Sequence, residues 1–378
     1  MKTLAILTNG GDTCSLNAAI KSIRDHAIAA GYTRILAFED GYQGIVNKSV
    51  KLLTWEPIDP QQGGTILRSQ RFAPNSDEER RIIFQNLSDL EVSALVVIGG
   101  DGTLSATKAL CQGGEAKDFG VRILGFPRTI DNDIRTNTFE GENEVSLCPG
   151  YPSAAIKIAR LTRELRTTAM SSRKIFIMET MGRDAGWLAA ATCLGGAEFV
   201  LIPEVEFKDD DWNRFFERVA KLYAFHGHVI IGVSEGFRIG GVQEMDAAFG
   251  PRKLGGVGVK VAKMVEMGLH GLGLNVAVRY QQAGYIPRMG APCAYDIELA
   301  SALGAEVGAM LEDGRHGELP VSTIVPTFKH IGEGISRIPL SRIEQFFLPA
   351  KTFYDSGTFS ITDSFIDLMK RFVDPKGL

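Results

Sequence analysis

Two stretches of the chain place carboxylates immediately behind apolar runs. The first is Val96-Val97-Ile98-Gly99-Gly100-Asp101-Gly102-Thr103, and the second is Ile123-Leu124-Gly125-Phe126-Pro127-Arg128-Thr129-Ile130-Asp131-Asn132-Asp133. Glycines after a strand let the backbone approach a phosphate closely, and a neighbouring carboxylate can hold Mg²⁺ directly or through water. In an extended segment Asp131 and Asp133 point to the same side, so that one can take a proton from a hydroxyl nucleophile while the other helps to hold metal. These are the parts of a phosphoryl-transfer site, which needs positioning, Mg²⁺ and charge neutralisation more than covalent chemistry. Each motif also has a plain structural reading: an Asp-Gly turn at a strand end for the first, an Asx-rich turn for the second. Neither a Walker lysine motif nor a G-x-G-x-x-G fingerprint occurs, which argues against a P-loop and a dinucleotide fold.

Further candidates follow. Met181-Gly182-Arg183 stands just before a helix pattern, where open backbone and a guanidinium can dock an anionic or hydroxylated ligand. Ser234-Glu235-Gly236 follows an apolar run and offers a carboxylate to sugar hydroxyls. Arg279, Tyr285 and Arg288 fall within ten residues of one another beside the turn Pro287–Gly290, as a phosphate clamp would. Taken singly, such arginines are ordinarily solvated. His226 and His228 have no further Cys or His at metal spacing and read as a helix-end loop.

The elements that must position these residues alternate in type. Strands are expected at Leu4–Thr8, Arg34–Phe38, Ala94–Ile98, Arg122–Phe126, Lys174–Glu179, Phe199–Ile202, Val229–Val233 and Asn275–Val278. Helices are expected at Leu16–Ala30, Asp77–Leu90, Leu104–Leu110, Ser153–Arg166, Trp187–Leu194, Asp209–Tyr223 and Tyr295–Leu311. Gly41–Gly44 reads as a turn, and Gln61–Gly64 opens a loop that carries Arg68 and Arg71. Residues 238–254 read as a Gly-rich loop, and the last fifty residues are weakly patterned. Strand–helix alternation implies parallel sheets with right-handed crossovers, on whose carboxyl ends ligands bind.

Composition narrows the class. The 378 residues suffice for two or three domains, and a formal charge of −4 leaves no footprint for nucleic acid or an anionic membrane. No apolar run approaches the ~20 residues of a membrane span, and the N-terminal run is too short for a signal peptide. Cys14, Cys111, Cys148, Cys193 and Cys293 are scattered without CxxC spacing, so reduced thiols in a soluble cytoplasmic α/β protein are expected.

The combination is more specific than its parts. Gly10-Gly11-Asp12, Gly63-Gly64-Thr65 followed by Arg71, the Gly-Gly-Asp-Gly-Thr loop, the Pro-Arg-Thr-Ile-Asp-Asn-Asp segment, Met181–Trp187, Pro203–Phe207 and Ser234–Gly236 occur in one order. That set resembles the 6-phosphofructokinase family over nearly the whole chain. NAD and lipid kinases carry similar Gly-Gly-Asp-Gly loops but not the other motifs. The resemblance implies Asp131 as the base for the sugar 1-hydroxyl, Thr129 beside the transferring phosphoryl group, and Gly11 and Arg71 as stabilisers of its charge. It implies Asp101 and Asp133 as Mg²⁺ ligands, and Tyr42, Arg71, Phe72, Gly100, Gly102 and Thr103 near the nucleotide. Met181, Gly182, Arg183 and Glu235 match positions that grip the sugar; Lys174, Arg279, Tyr285 and Arg288 match those that bind its 6-phosphate, some commonly lent by a neighbouring subunit. A homodimer or homotetramer is therefore implied.

Several positions depart from the common pattern. Tyr285 stands where many bacterial ATP-dependent members have His, Lys174 replaces an Arg, and Ser15 replaces a Gly. Pyrophosphate-dependent members carry an Asp where Gly102 stands, so Gly102 favours ATP as donor. Arg128 resembles the Lys before the Thr-Ile-Asp-Asn-Asp segment of the pyrophosphate enzymes, and Ala106 replaces a Gly beside the ribose. Asp25 replaces a basic effector-site residue, against the allosteric control of well-known bacterial members. The expected reaction is transfer to fructose 6-phosphate giving fructose 1,6-bisphosphate, with ATP favoured over pyrophosphate. A lipid or NAD-type kinase and a non-catalytic sugar-phosphate sensor are the alternatives. The expected architecture is two doubly wound parallel-sheet domains with the active site in the cleft between them. Residues 1–142 plus about 289–345 would bind the donor, and residues 143–288 plus about 346–378 the sugar phosphate.

Overall fold

The computed structural model describes residues 2–136, 145–243, 256–324, 331–345 and 347–373. The chain divides into two compact units, Met1–Ser153 with Arg288–Phe346 and Ala154–Pro287 with Phe347–Leu378. Each is built on its own sheet.

In the first unit the strand order is Ile335–Pro339, Glu318–Ile324, Arg122–Pro127, Val92–Gly99, Thr3–Thr8, Arg34–Phe38, Val50–Leu52, and Val145–Ser146 adds to Glu318–Ile324. The five central strands run parallel, and antiparallel strands close both edges. Both faces of the central strands are covered, so Leu4–Leu7 and Ala94–Ile98 are wholly buried apolar runs rather than alternating ones. The chain starts at Thr3–Thr8, winds to Arg34–Phe38 on one side, and returns to Val92–Gly99 on the other. The loops leaving Thr3–Thr8 and Val92–Gly99 therefore part at a topological switch point, the place where open α/β sheets bind ligands.

On one face of this sheet Leu16–Ala29 packs against Ala294–Glu312. Gly304 and Gly308, one turn apart, meet Ser22 and His26 so closely that a side chain at either would collide with them. The start of Ala294–Glu312 does a second job. Asp296 is fully buried, and its carboxylate accepts from the amides of Gly150 (2.7 Å) and Ser153 (3.2 Å) and from the Ser153 hydroxyl (2.5 Å). It thus caps the helix Tyr151–Ser172 from outside that helix, satisfying donors that the helix start leaves open.

The second unit holds a four-stranded parallel sheet in the order Val278–Gln282, Ile175–Thr180, Val229–Ser234, Phe199–Leu201. Its core gathers Ile175, Ile177, Val229, Ile231 and Val233 against Phe207, Trp212, Phe215 and Phe237, with the rings edge-on or tilted.

The expected elements are present with four revisions. A helix spans Val257–Gly271, where none is expected from the pattern. Val257, Val261, Val265 and Leu269 recur every fourth residue and are fully buried, which gives the helix one apolar face. The neighbouring strand begins at Val278, where Asn275–Val278 is expected to end, and Tyr42–Val46 is a short helix rather than a turn. The edges of the first sheet are antiparallel, formed by the short strands Val50–Leu52, Ile335–Pro339 and Val145–Ser146. Most of the expected loop at 238–254 lies outside the described residues.

Asp296→Ala should lower stability by about 2–4 kcal/mol, since it strands two buried amides and a hydroxyl. Asp296→Asn should recover part of that loss. Urea midpoints at constant slope test both.

Candidate functional site

The first unit carries three loops at the carboxyl ends of adjacent strands: residues 9–15 after Thr3–Thr8, 99–103 after Val92–Gly99, and 128–133 after Arg122–Pro127. Asn9, buried to 3% exposure, knits them together. Its amide group donates to the Phe72 carbonyl (3.0 Å) and the Thr103 hydroxyl (3.1 Å), and that hydroxyl donates back to the Asn9 carbonyl (3.1 Å). Asn9 is missing from the sequence reading. A polar residue at the end of a buried strand is the signal that could have found it.

Gly100 caps the helix Asp101–Gln112, whose first two residues are Asp101 and Gly102. A side chain at Gly102 would meet no atom within 4 Å, so open space lies beside the helix start. Asp101 is half-buried.

The Thr129–Asp133 segment is a tight turn rather than an extended strand. Asn132 has φ of 49°, in the left-handed region that Asn tolerates better than most residues. The Thr129 hydroxyl accepts from the Asp131 amide (3.0 Å) and donates to the Asp133 carboxylate (2.9 Å). The Asn132 side chain holds the Ser146 carbonyl and the Cys148 amide, each at 3.0 Å. The Asx-rich turn and the candidate catalytic segment are thus the same residues. The turn still brings Asp131 and Asp133 together: burial first, then the charges of Asp131 and Asp101, push the Asp133 carboxyl up to about 7. Asp131 and Asp101 thus lie within electrostatic reach of Asp133. Among the described residues no preformed group of three or more His, Cys, Asp or Glu ligands exists.

Arg128 is 2% exposed, and its guanidinium donates to the backbone carbonyls of Gly11 and Asn9, the latter at 3.1 Å. Arg288 donates to the Asp12 carbonyl (2.8 Å), so close to Gly11 that a Cβ there would sit 2.6 Å from a guanidinium nitrogen. Arg71 is exposed in the following loop and Phe72 is half-buried. Tyr42 departs from expectation: its ring is wholly buried and its hydroxyl bonds Thr107 (2.8 Å), so it offers a nucleotide no exposed atom here.

In the second unit Met181-Gly182-Arg183 leaves the strand Ile175–Thr180, and Glu235 leaves its neighbour Val229–Ser234. The two loops interlock. Gly182 has φ of 132°, its amide donates to Glu235 (3.3 Å) and its carbonyl accepts from Gly236 (3.1 Å), while a side chain at Gly236 would strike the Arg183 carbonyl. Arg183 is exposed and Glu235 half-buried. Tyr285, 67% exposed, follows the edge strand Val278–Gln282 at this same end.

Lys174 and Arg279 do not join them. Lys174 precedes Ile175–Thr180 and Arg279 pairs with Phe176, so both belong to the opposite end of the sheet. Seven residues separate Lys174 from Met181, about 20 Å along a strand. Arg279 and Tyr285 thus lie toward opposite ends of one sheet.

In a doubly wound α/β unit, a glycine–aspartate loop that opens a helix at the switch point stands where such folds bind phosphate groups. Residues 3–311 match the family described as Phosphofructokinase, and the chain belongs to that family. It is 30% identical over 325 residues to the pyrophosphate–fructose 6-phosphate 1-phosphotransferase of Dictyoglomus thermophilum, covering 83% of this chain and 87% of that one. Over 309 residues it is 33% identical to the ATP-dependent 6-phosphofructokinase of Yersinia enterocolitica, covering 81% and 82%. The crystal structure of the pyrophosphate-dependent phosphofructokinase from Nitrosospira multiformis shares the fold, with a TM-score of 0.80 at 22% identity over 99% of this chain and 92% of that one.

Without metal, a carboxyl raised from 3.8 to about 7 binds its proton in the folded state before the unfolded one does. Stability should therefore fall as pH rises from about 4 through 7, by on the order of 4 kcal/mol, and level off above. Asp133→Asn should flatten that fall; urea midpoints across this range in EDTA measure it.

Proposed function

We propose that this chain transfers the terminal phosphoryl group of ATP to the 1-hydroxyl of fructose 6-phosphate, giving fructose 1,6-bisphosphate in the cytoplasm. The observation that carries the choice of donor is the open space at Gly102, which leaves room for a nucleotide beyond the transferring group. The relatives include both ATP- and pyrophosphate-dependent enzymes. Arg128, the residue that favours pyrophosphate by resemblance, turns its guanidinium onto backbone carbonyls instead.

In the reaction the sugar O1 attacks the terminal phosphorus in line. The O1–P bond forms as the bridging P–O bond to ADP breaks, and the hydroxyl proton passes to the Asp131 carboxylate. The amide of Gly11 and the guanidinium of Arg71 face the charge on the transferring group. Asp101 and Asp133 would hold Mg²⁺, and a site with so few protein ligands suits an ion that keeps waters and substrate phosphates around it. An ion held there would supply charge neutralisation for the phosphates and favour the ionised form of Asp133, which burial and its acidic neighbours disfavour. Met181, Gly182, Arg183 and Glu235 would orient the sugar, with Tyr285 and Arg288 toward its 6-phosphate.

Product formation from fructose 6-phosphate and Mg²⁺, with ATP and pyrophosphate in parallel, tests the reading. Asp131→Asn should keep substrate binding and lose at least about 100-fold in kcat. Gly102→Asp should depress the ATP reaction selectively. Product from pyrophosphate alone would reverse the donor assignment, and near-normal turnover in Asp131→Asn would remove it as the base.

Because Lys174 and Arg279 belong to the far end of their sheet, we infer that a second copy supplies them to complete the 6-phosphate site of the first. Mixing Asp131→Asn with Arg279→Ala after dissociation and reassembly should then restore up to about a quarter of wild-type activity from two inactive parents. No recovery would place each site within one chain.

A further inference from the structure

The carbonyls of Asn9, Gly11 and Asp12, three of four consecutive residues in the first loop, are each held by a guanidinium. Arg128 takes Asn9 and Gly11 from within, and Arg288 takes Asp12. The loop is tied from a third direction by Ser69, whose hydroxyl donates to the Gly10 carbonyl (2.9 Å), and by the Gln70 carbonyl, which accepts from the Gly10 amide (2.9 Å).

A planar trans peptide sets its N–H opposite its C=O. Fixing the Gly11 carbonyl toward Arg128 therefore turns the Asp12 amide away from it, and fixing the Asp12 carbonyl toward Arg288 does the same for Thr13. Among the described residues the amides of Gly11, Asp12 and Thr13 have no hydrogen-bond acceptor. Three successive unpaired amides in a glycine-led loop are the donors from which an anion-binding nest is built. Left to itself, such a loop would relax toward water or toward internal turns.

Resting on the phosphoryl-transfer reading above, we propose that Arg128 is a positioning residue that clasps the first loop so that its amides face the transferring phosphoryl group, rather than a ligand of the donor. Three observations separate the roles. Arg128 is almost wholly enclosed, two of its nitrogens are engaged by backbone carbonyls, and its third, Nε, is buried without a partner. Two fixed carbonyls are a target that suits the planar fork of arginine and not the single ammonium of lysine. The net positive charge also stays beneath the loop, where it reinforces the amides without touching the anion.

The test is Arg128→Lys and Arg128→Gln against wild type, by steady-state kinetics with each donor and by amide hydrogen exchange. Both variants should lose about 10–100-fold in kcat, Lys less than Gln, with KM for either substrate within about twofold. The amides of residues 10–13 should exchange at least about tenfold faster while those of Thr3–Thr8 keep their protection, which distinguishes a loosened loop from a loosened fold. Unchanged exchange in the loop would overturn the clasp. A raised donor KM at intact kcat would overturn it too, by making Arg128 a donor ligand. If wild type makes no fructose 1,6-bisphosphate with either donor but the variants still speed loop exchange, the clasp stands and the functional reading falls.

Discussion

A guanidinium with almost no water around it sits beneath the site. A charge in such a place is tolerable only when its hydrogen bonds are met by fixed partners, and Arg128 finds them in backbone carbonyls. Burial and the nearby Arg288 pull it down to about 10, while Asp12 and Asp133 act the other way, so it stays charged at neutral pH. The constraint runs both ways. The loop after Thr3–Thr8 must hold its carbonyls inward to satisfy the arginine, and the turn that starts at Thr129 follows directly on that arginine.

The carboxylates depend on this arrangement. Asp131 and Asp133 are brought together by a turn whose internal bonds run through the Thr129 hydroxyl and whose outer bonds run through Asn132. Burial, and after it the charges of Asp131 and Asp101, raise Asp133, so this turn is held at a cost to stability once its carboxyl ionises. A stabilising anion arrangement would have paired these groups with Arg128, which instead faces the first loop.

The second unit answers the same problem with glycines. Gly182 and Gly236 let two loops at neighbouring strand ends interlock at backbone distance, and Glu235 is oriented by the Gly182 amide. Lys174 and Arg279 belong to the other end of that sheet, and their placement follows from strand direction alone.

The parallel core was legible because buried parallel strands are continuous apolar runs, and the glycine–aspartate and Thr-Ile-Asp-Asn-Asp motifs were legible because they lie directly behind such runs. The helix Val257–Gly271 was not, since valine and glycine mask a four-residue spacing that only burial confirms. Pairing at the sheet edges was equally hidden, because strands of two to five residues leave little periodic signal. By itself the sequence determined which residues could do chemistry and in what order they occur. Tertiary structure alone decided their duties: Tyr42 faces the core, Thr129 organises a turn, Arg128 clasps a loop, and Asn9 and Asp296 become hubs. The reason is physical, since a polar side chain's role depends on which donors and acceptors the fold leaves unmet beside it, and no local spacing encodes that.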